Sequence, residues 1–259
     1  MIDLHSHVLP GLDDGAKNID DALEMCRVAH ADGIQTLVAT PHCRNGVYYN
    51  DQKKILATLE NLKEALHREK ITLKVLPGVD ILIHPELIDF LDQNPCLLLG
   101  GRYVLLELPN ESIPLHTRDF LFKMQLKGYT PIITHPERNS MIQSNPEILE
   151  ELVQVGALVQ VTAMSLTGEF GGQARESANR LIKSGLVHFI ATDAHSPHRR
   201  PPILSKGRKI LEETIGPEQA LMMVEEIPDK ILRGELVEGR LMMKSTPPRP
   251  SFFHRLFMR

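Results

Sequence analysis

No run of apolar residues in this 259-residue chain exceeds a handful, Val104-Leu105-Leu106 being typical, whereas about 18 in succession are needed to cross a bilayer. A membrane-spanning helix is therefore not expected. Cysteine is scarce: Cys26, Cys43 and Cys96 are an odd number without C-x-x-C spacing. That leaves no basis for a disulfide framework or a thiolate zinc site, and it fits a reducing cytoplasm. The opening Met1-Ile2-Asp3-Leu4-His5 carries neither a basic nor an apolar leader, so no secretion signal is expected. Positive charge is not in excess either. With 29 Lys+Arg against 33 Asp+Glu and a formal net charge of −4, the chain lacks the basic surface that a general nucleic-acid binder sets against phosphate backbones.

Several catalytic signatures are missing as well. There is no G-x-G-x-x-G turn, no G-x-S-x-G elbow and no G-x-x-x-x-G-K-[ST] phosphate loop, which excludes those routes to dinucleotide binding, acyl transfer and nucleotide hydrolysis. A cysteine-nucleophile phosphatase requires Cys-x5-Arg ahead of a helix that cradles phosphate. At that spacing Cys43 reaches Tyr49 and Cys26 reaches Asp32; Cys96 reaches Arg102, but through three leucines and into the strand-like run 103–108.

What is present points to a parallel α/β fold. Apolar residues make up 42 % of the chain, enough for a sizeable core. Short β-rich segments recur at 1–5, 35–40, 73–81, 103–108, 130–134, 157–162 and 187–192. Helical periodicity or helix caps fill 19–32, 51–70, 84–93, 114–127, 146–155 and 172–185. Such alternation demands parallel strands joined by crossover helices. With polar residues at nearly every strand end, the pattern predicts an irregular seven-stranded (β/α)7 barrel, whose C-terminal strand ends converge on one face. Beyond 192 the chain turns helical over 203–234 and changes character at Thr246-Pro247-Pro248-Arg249-Pro250. We therefore divide it into a barrel with C-terminal helices, 1–243, and a basic, aromatic tail, 244–259.

The polar strand ends share a chemistry. His5-Ser6-His7 sets two imidazoles on one side of an extended strand, because side chains alternate with period two, and Asp193-Ala194-His195 repeats the spacing at the last strand. Asp14 on the first loop and His42, Asp80, Glu107 and His135 at the other strand ends complete a set of five imidazoles and four carboxylates. Nine ligands exceed the needs of one ion. Imidazole and carboxylate without thiolate suit manganese, iron, zinc or cobalt.

In order along the chain, His5-x-His7, Asp13-Asp14-Gly15, Thr40-Pro41-His42, His135-Pro136-Glu137-Arg138 and Asp193-x-His195 resemble the motifs of the polymerase-and-histidinol-phosphatase (PHP) superfamily. Within it, the chain is similar to the manganese-dependent bacterial protein-tyrosine phosphatases that accompany capsule or exopolysaccharide tyrosine kinases. The resemblance implies a distorted TIM-type barrel and a three-metal site, with Mn2+ the expected ion. It implies that His5, His7, Asp80 and Asp193 hold the first ion, that Asp80, Glu107 and His135 hold the second, and that Asp14, His42 and His195 hold the third. It further implies that Arg138 and one arginine of Arg199-Arg200, with Arg200 preferred, bind the phosphate, since planar guanidinium forks suit phosphate oxygens. The expected reaction is hydrolysis of protein phosphotyrosine by a hydroxide held between ions, with His42 or a metal-bound water helping the phenoxide to leave. A bacterial tyrosine kinase is the expected phosphorylated partner. Asp80 is a departure, because the family normally has Glu there.

Two rival functions share this framework. A small-molecule phosphatase of the histidinol-phosphate type would keep the metals and differ at the pocket rim, and a non-catalytic kinase-docking barrel would bind metal poorly. Segments 44–49 and 162–172 are expected to rim the mouth, with Gly168, Gly171 and Gly172 freeing the latter to act as a lid. In the tail, Phe252, Phe253, Leu256 and Phe257 share a helical face beside Arg255 and Arg259. This predicts peripheral contact between a cytoplasmic enzyme and the inner face of an anionic membrane, or docking of the tail to a partner.

Overall fold

A computed structural model describes residues 1–237; the tail, with Phe252, Phe253, Leu256 and Phe257, lies outside the described residues. Every strand pairing in them is parallel. One sheet runs in the order β1 (Ile2–Ser6), β2 (Thr36–Ala39), β4 (Lys74–Pro77). The other runs β3 (His42–Cys43), β5 (Asp80–Leu82), β6 (Tyr103–Glu107), β7 (Thr130–Thr134), β8 (Leu158–Thr162), β9 (Phe189–Ala191). The two sheets are parts of one ring. β2 and β3 form a stave interrupted at Thr40-Pro41, and β4 and β5 a stave interrupted at Gly78-Val79; Gly78 N donates to Ala39 O and Asp80 N to Pro41 O across the breaks. The ends of the ring meet where Ser6 bridges Ala194, with Asp193 N donating to His5 O and His7 N to Ala194 O. Seven staves result, as expected, and closure through an isolated bridge instead of a full ladder makes the barrel irregular.

Helices cover the outside. Asn18 accepts from Asp21 N ahead of α1 (Ile19–Ala31), and Asp51 from Lys54 N ahead of α2 (Gln52–Arg68), so each start satisfies an otherwise unpaired donor. α3 (Leu87–Gln93), α4 (Thr117–Leu126), α5 (Ser140–Ser144) and α6 (Glu147–Gln154) follow in the crossovers after β5, β6 and β7. Two segments differ from expectation. The stretch 162–172 is not all loop: it contains α7 (Ala163–Thr167), whose start is pinned by buried Glu137, which accepts from Thr162 N and Ser165 Oγ. After α8 (Gly172–Lys183), the long C-terminal helical stretch is broken at Gly216 into α9 (Ser205–Ile215) and shorter helices ending at Leu232, because Pro217 begins a new helix.

Inward positions change from apolar to polar along each stave. Val38-x-Thr40-x-His42, Leu76-x-Gly78-x-Asp80, Tyr103-x-Leu105-x-Glu107, Leu158-x-Gln160-x-Thr162 and Phe189-x-Ala191-x-Asp193 each keep one parity. Their apolar members cluster inside the barrel with Leu4, Ile132 and, from the last helix, Ile227 and Ile231. Their polar members stand above this plug at the C-terminal ends. β1 is the exception: its register against β2 slips between Asp3 and Ser6. Such a bulge re-aims side chains, so Leu4 joins the plug while its neighbour His5 faces the polar end.

Candidate metal centre

The nine ligands expected from sequence meet at this end of the barrel. Three sets of ligand atoms lie within 4.8 Å of one another: His5, His7 and Asp193; His42, Asp80 and Glu107; His7, Asp14, His42 and His195. Asp80 stands between the first two, its Oδ2 3.6 Å from His5 Nε2 and 3.3 Å from His42 Nδ1. His135 lies at the edge, its Nε2 3.7 Å from Glu107 Oε1. His42 stands between two groups, its Nδ1 3.8 Å from Glu107 Oε2 and its Nε2 3.7 Å from Asp14 Oδ1. His5, His7 and Asp80 have no exposed surface, whereas Asp14 is exposed at the mouth.

The donor set fits divalent cations. Asp80 Oδ2 and His42 Nδ1 are buried without a hydrogen-bond partner, which is costly for polar atoms. His5 Nε2 faces His7 Nε2 at 3.2 Å, and both lie 3.4–3.5 Å from Asp193 Oδ1. Atoms that share an ion at about 2.0–2.2 Å sit roughly 3–4 Å apart, as these do.

Surrounding groups aim the ligands. Asp13 Oδ2 lies 2.7 Å from His7 Nδ1 and accepts from His42 N at 2.9 Å; Gln160 Oε1 lies 2.9 Å from His5 Nδ1; Asp193 O lies 2.9 Å from His195 Nδ1. Each holds one ring nitrogen and leaves the other for the cluster. Gly15 makes the first contact available, because a Cβ there would fall 2.0 Å from His7 O. His135 and Asp193 sit at φ 37° and 50°, a left-handed conformation uncommon for such residues and frequent at functional sites.

The titrating groups are driven apart. Burial pushes Asp80 and Asp193 upward, but His5 acting on the first and Arg138 on the second hold both carboxyls well below the usual range. Burial and the neighbouring Asp80 push Glu107 up to about 7. For His7 burial acts downward, but the charges and hydrogen bonds of Asp13 and Asp193 together outweigh it and raise the imidazole to about 10. Burial and Arg138 bring His135 down to about 3, and burial and His7 bring His195 down to about 2. Spreads of this kind mark functional clusters.

Beside the cluster, Arg138 Nη2 and Arg200 Nη2 donate to the same oxygen, Asp193 Oδ2, at 2.5 and 2.7 Å. Both guanidiniums lie over the ring of Phe170, 4.0 and 5.4 Å from its centroid. The Nε atoms of both arginines are buried and make no hydrogen bond, Arg138 Nε lying 3.9 Å from Glu137 Oε1. Arg199 is exposed and takes no part in this arrangement, which supports the choice of Arg200. Sequence reasoning missed Phe170, Gln160 and the anchoring role of Glu137. Gln160 was readable from its inward parity on β8; Phe170 had no sequence signal, since α7 brings it to the arginines.

Thiol chemistry does not reach this site. Burial pushes Cys43 up to about 11 and Cys26 up to about 12, and the Cys43 thiol donates to Asn50 O. Cys96 is exposed on the short helical turn ahead of β6, where its N–H donates to Gln52 Oε1.

Fold and site together define a metal-binding barrel of the PHP type. The chain belongs to the family described as capsular polysaccharide synthesis, CpsB/CapC, which it matches over residues 1–233. It is 38 % identical to the tyrosine-protein phosphatase YwqE of Bacillus subtilis over 99 % of each chain. It is 25 % identical to the tyrosine-protein phosphatase CpsB of Streptococcus pneumoniae over 92 % of this chain and 100 % of that one. A solved structure from work on YwqE and CpsB, described as unique metal-dependent tyrosine phosphatases, superposes with a TM-score of 0.87 at 39 % identity, covering 92 % of this chain and 96 % of that one. The histidinol phosphate phosphatase of Lactococcus lactis, solved with zinc, L-histidinol and phosphate, shares the fold at a TM-score of 0.54 and 14 % identity, over 82 % of this chain and 93 % of that one.

Proposed function

We propose that this protein is a metal-dependent phosphatase that hydrolyses protein phosphotyrosine, and that its substrate is a tyrosine kinase of capsule or exopolysaccharide synthesis. The observation that carries this reading is the juxtaposition of two half-buried guanidiniums with a cluster of imidazoles and carboxylates at one barrel mouth. The names of relatives that align over nearly the whole chain support it.

We assign the first ion to His5, His7, Asp80 and Asp193, the second to Asp80, Glu107 and His135, and the third to Asp14, His42 and His195. Mn2+ is our choice ahead of iron, zinc and cobalt. When bound, such ions supply Lewis-acid charge and a water of lowered pKa at neutral pH. Arg138 and Arg200 bind the equatorial phosphate oxygens and offset the charge that grows on them during in-line displacement. Asp193 and Phe170 hold the two guanidiniums together for that task. His42, whose side chain at 13 % is the most exposed of the five imidazoles, or a water held by the ions gives a proton to the leaving phenoxide, which with a pKa of about 10 needs little help.

The test compares chelated and manganese-reloaded protein on a phosphotyrosine peptide and on histidinol phosphate. Turnover of the peptide should vanish on chelation, return with manganese and survive thiol alkylation. Preference for histidinol phosphate would favour the small-molecule reading; hydrolysis of neither by the loaded protein would leave a docking barrel. We place the activity in the cytoplasm, a choice that the three free cysteines support, and assign peripheral membrane contact to Phe252, Phe253, Leu256 and Phe257. Deleting 247–259 should leave soluble peptide turnover intact and abolish binding to anionic vesicles; a full chain that ignores such vesicles at low salt refutes that contact.

A further inference from the structure

One wall of the mouth carries positive charge that the proposed reaction does not use. Residues 163–175 and 198–206, which border the phosphate arginines, carry besides Arg200 the cations Arg175, Arg199 and Lys206 against one acid, Glu169, in a chain of net charge −4, and Asp193 is already shared by Arg138 and Arg200. Arg175, Arg199 and Lys206 are exposed and form no ion pair among the described residues. A cleft of about 200 Å³ opens here between α7 and the loop after β9, lined by Met164, Thr167, Glu169, His198, Arg199 and Lys206 among others. It adjoins the phosphate arginines at three points of the chain. Ala163 follows Thr162, to which Arg138 donates; Glu169 precedes Phe170, under both guanidiniums; Arg199 and Pro201 flank Arg200. Arg175 lies close by, its Cδ next to Gly168. Across the mouth, after β5 and β6, the corresponding cleft is mainly apolar, with Ile83, Pro85, Pro114, Leu115 and Phe120 in its lining.

We infer that the basic cleft reads carboxylates beside the phosphorylated tyrosine, so that the preferred substrate is an acidic polypeptide segment. This rests on the phosphotyrosine reading above. A phosphate that reaches ligands with no exposed surface draws its own backbone across the rim, and successive residues spaced by about 3.3–3.6 Å then pass over the wall. Cations placed there steer an anionic segment and fix its direction across the mouth. Glu169, the acid within the cleft, opposes that attraction and limits it.

The experiment uses the full chain loaded with manganese, 4-nitrophenyl phosphate, and two phosphotyrosine peptides identical except for Glu or Gln at the flanking positions. Exposed ion pairs are individually weak and screened by salt, so kcat/KM should favour the Glu peptide about tenfold at low salt and nearly equalise at about 0.5 M. The double variant Arg175→Glu, Lys206→Glu should lose that preference and keep its turnover of 4-nitrophenyl phosphate; Glu169→Gln should widen it. Equal kcat/KM for the two peptides in the unaltered protein, or a preference that survives the double variant, overturns the inference. Unchanged peptide discrimination combined with lost binding to phosphatidylglycerol vesicles would assign the cations to a lipid surface and overturn it too. If the loaded protein hydrolyses neither the peptides nor 4-nitrophenyl phosphate, the phosphotyrosine reading itself falls and this inference with it.

Discussion

At the N-terminal end of the barrel Leu4, Tyr103, Leu105, Ile132 and Phe189 pack with Ile227 and Ile231 into an apolar plug. Two residues further along the same staves, Glu107 follows Leu105 and Asp193 follows Ala191, and the interior fills with imidazoles and carboxylates. The plug gains free energy from every apolar side chain it removes from water. The mouth concentrates buried charge whose desolvation is unfavourable until opposite charge compensates it. One pleat of strand separates the part that holds the fold from the part that strains it.

Substitutions at the two ends should therefore fail in different ways. Asp193→Ala removes both a ligand and the carboxylate shared by the arginines; activity should fall by roughly three powers of ten or more, equivalent to several kcal/mol, and the rise in Tm on adding manganese should disappear. Calorimetry and elemental analysis would read this, and substantial residual activity at full stability would break the contrast. Leu105→Ala should do the reverse, costing about 2–5 kcal/mol of stability with an unchanged ion count per chain. Denaturant unfolding measures it, and lost ions without lost stability would show that the plug and the mouth are one unit. Phe170→Leu removes the aromatic face under both guanidiniums. The expected result is a threefold to thirtyfold rise (about 0.5–2 kcal/mol) in KM for phosphopeptide and in the inhibition constant of inorganic phosphate, with metal content unaltered. A change in kcat alone would count against its role in holding the arginines.

The smallest effect is expected at Asp80. Aspartate is about an ångström shorter than the usual glutamate, while ligand distances tolerate only about ±0.2 Å. Its Oδ1 is also 3.5 Å from Thr134 Oγ1. Asp80→Glu should raise the number of ions retained after dialysis; equal occupancy near three in both proteins would show the shorter carboxylate to be fully accommodated.

Strand positions were legible because period-two alternation and β-rich runs are local: the segment read at 130–134 is β7 itself. The site was legible because a parallel barrel brings strand ends together whatever the loops do, so eight polar strand-end residues had to meet, with Asp14 of the first loop beside them. Other features arise only in three dimensions. Pro41 has no N–H to give, so the second stave splits and His42-Cys43 starts its own ladder with Asp80 and Ile81. The glycines at 168, 171 and 172 suggested a lid, yet Glu137, 25 residues from Thr162, holds the start of α7 in place. Spacing alone also does not tell that His42 and His135 both approach Glu107, at 3.8 and 3.7 Å, the second directed by the left-handed turn at His135.

Closure of the ring has a consequence for how the protein is made. Asp3 accepts from Thr192 across 189 residues of chain, and the same junction joins His5 and His7 of the first stave to Asp193 of the last. Such distant pairings form late and slowly, because the loop between them must close before any contact rewards it. On the ribosome, Asp80, Glu107 and His135, carried on three neighbouring staves, have all emerged while Asp193 is still untranslated. The ligand sets are therefore completed in an order written by the topology, and the one that contains the opening histidines is assembled only as the barrel shuts.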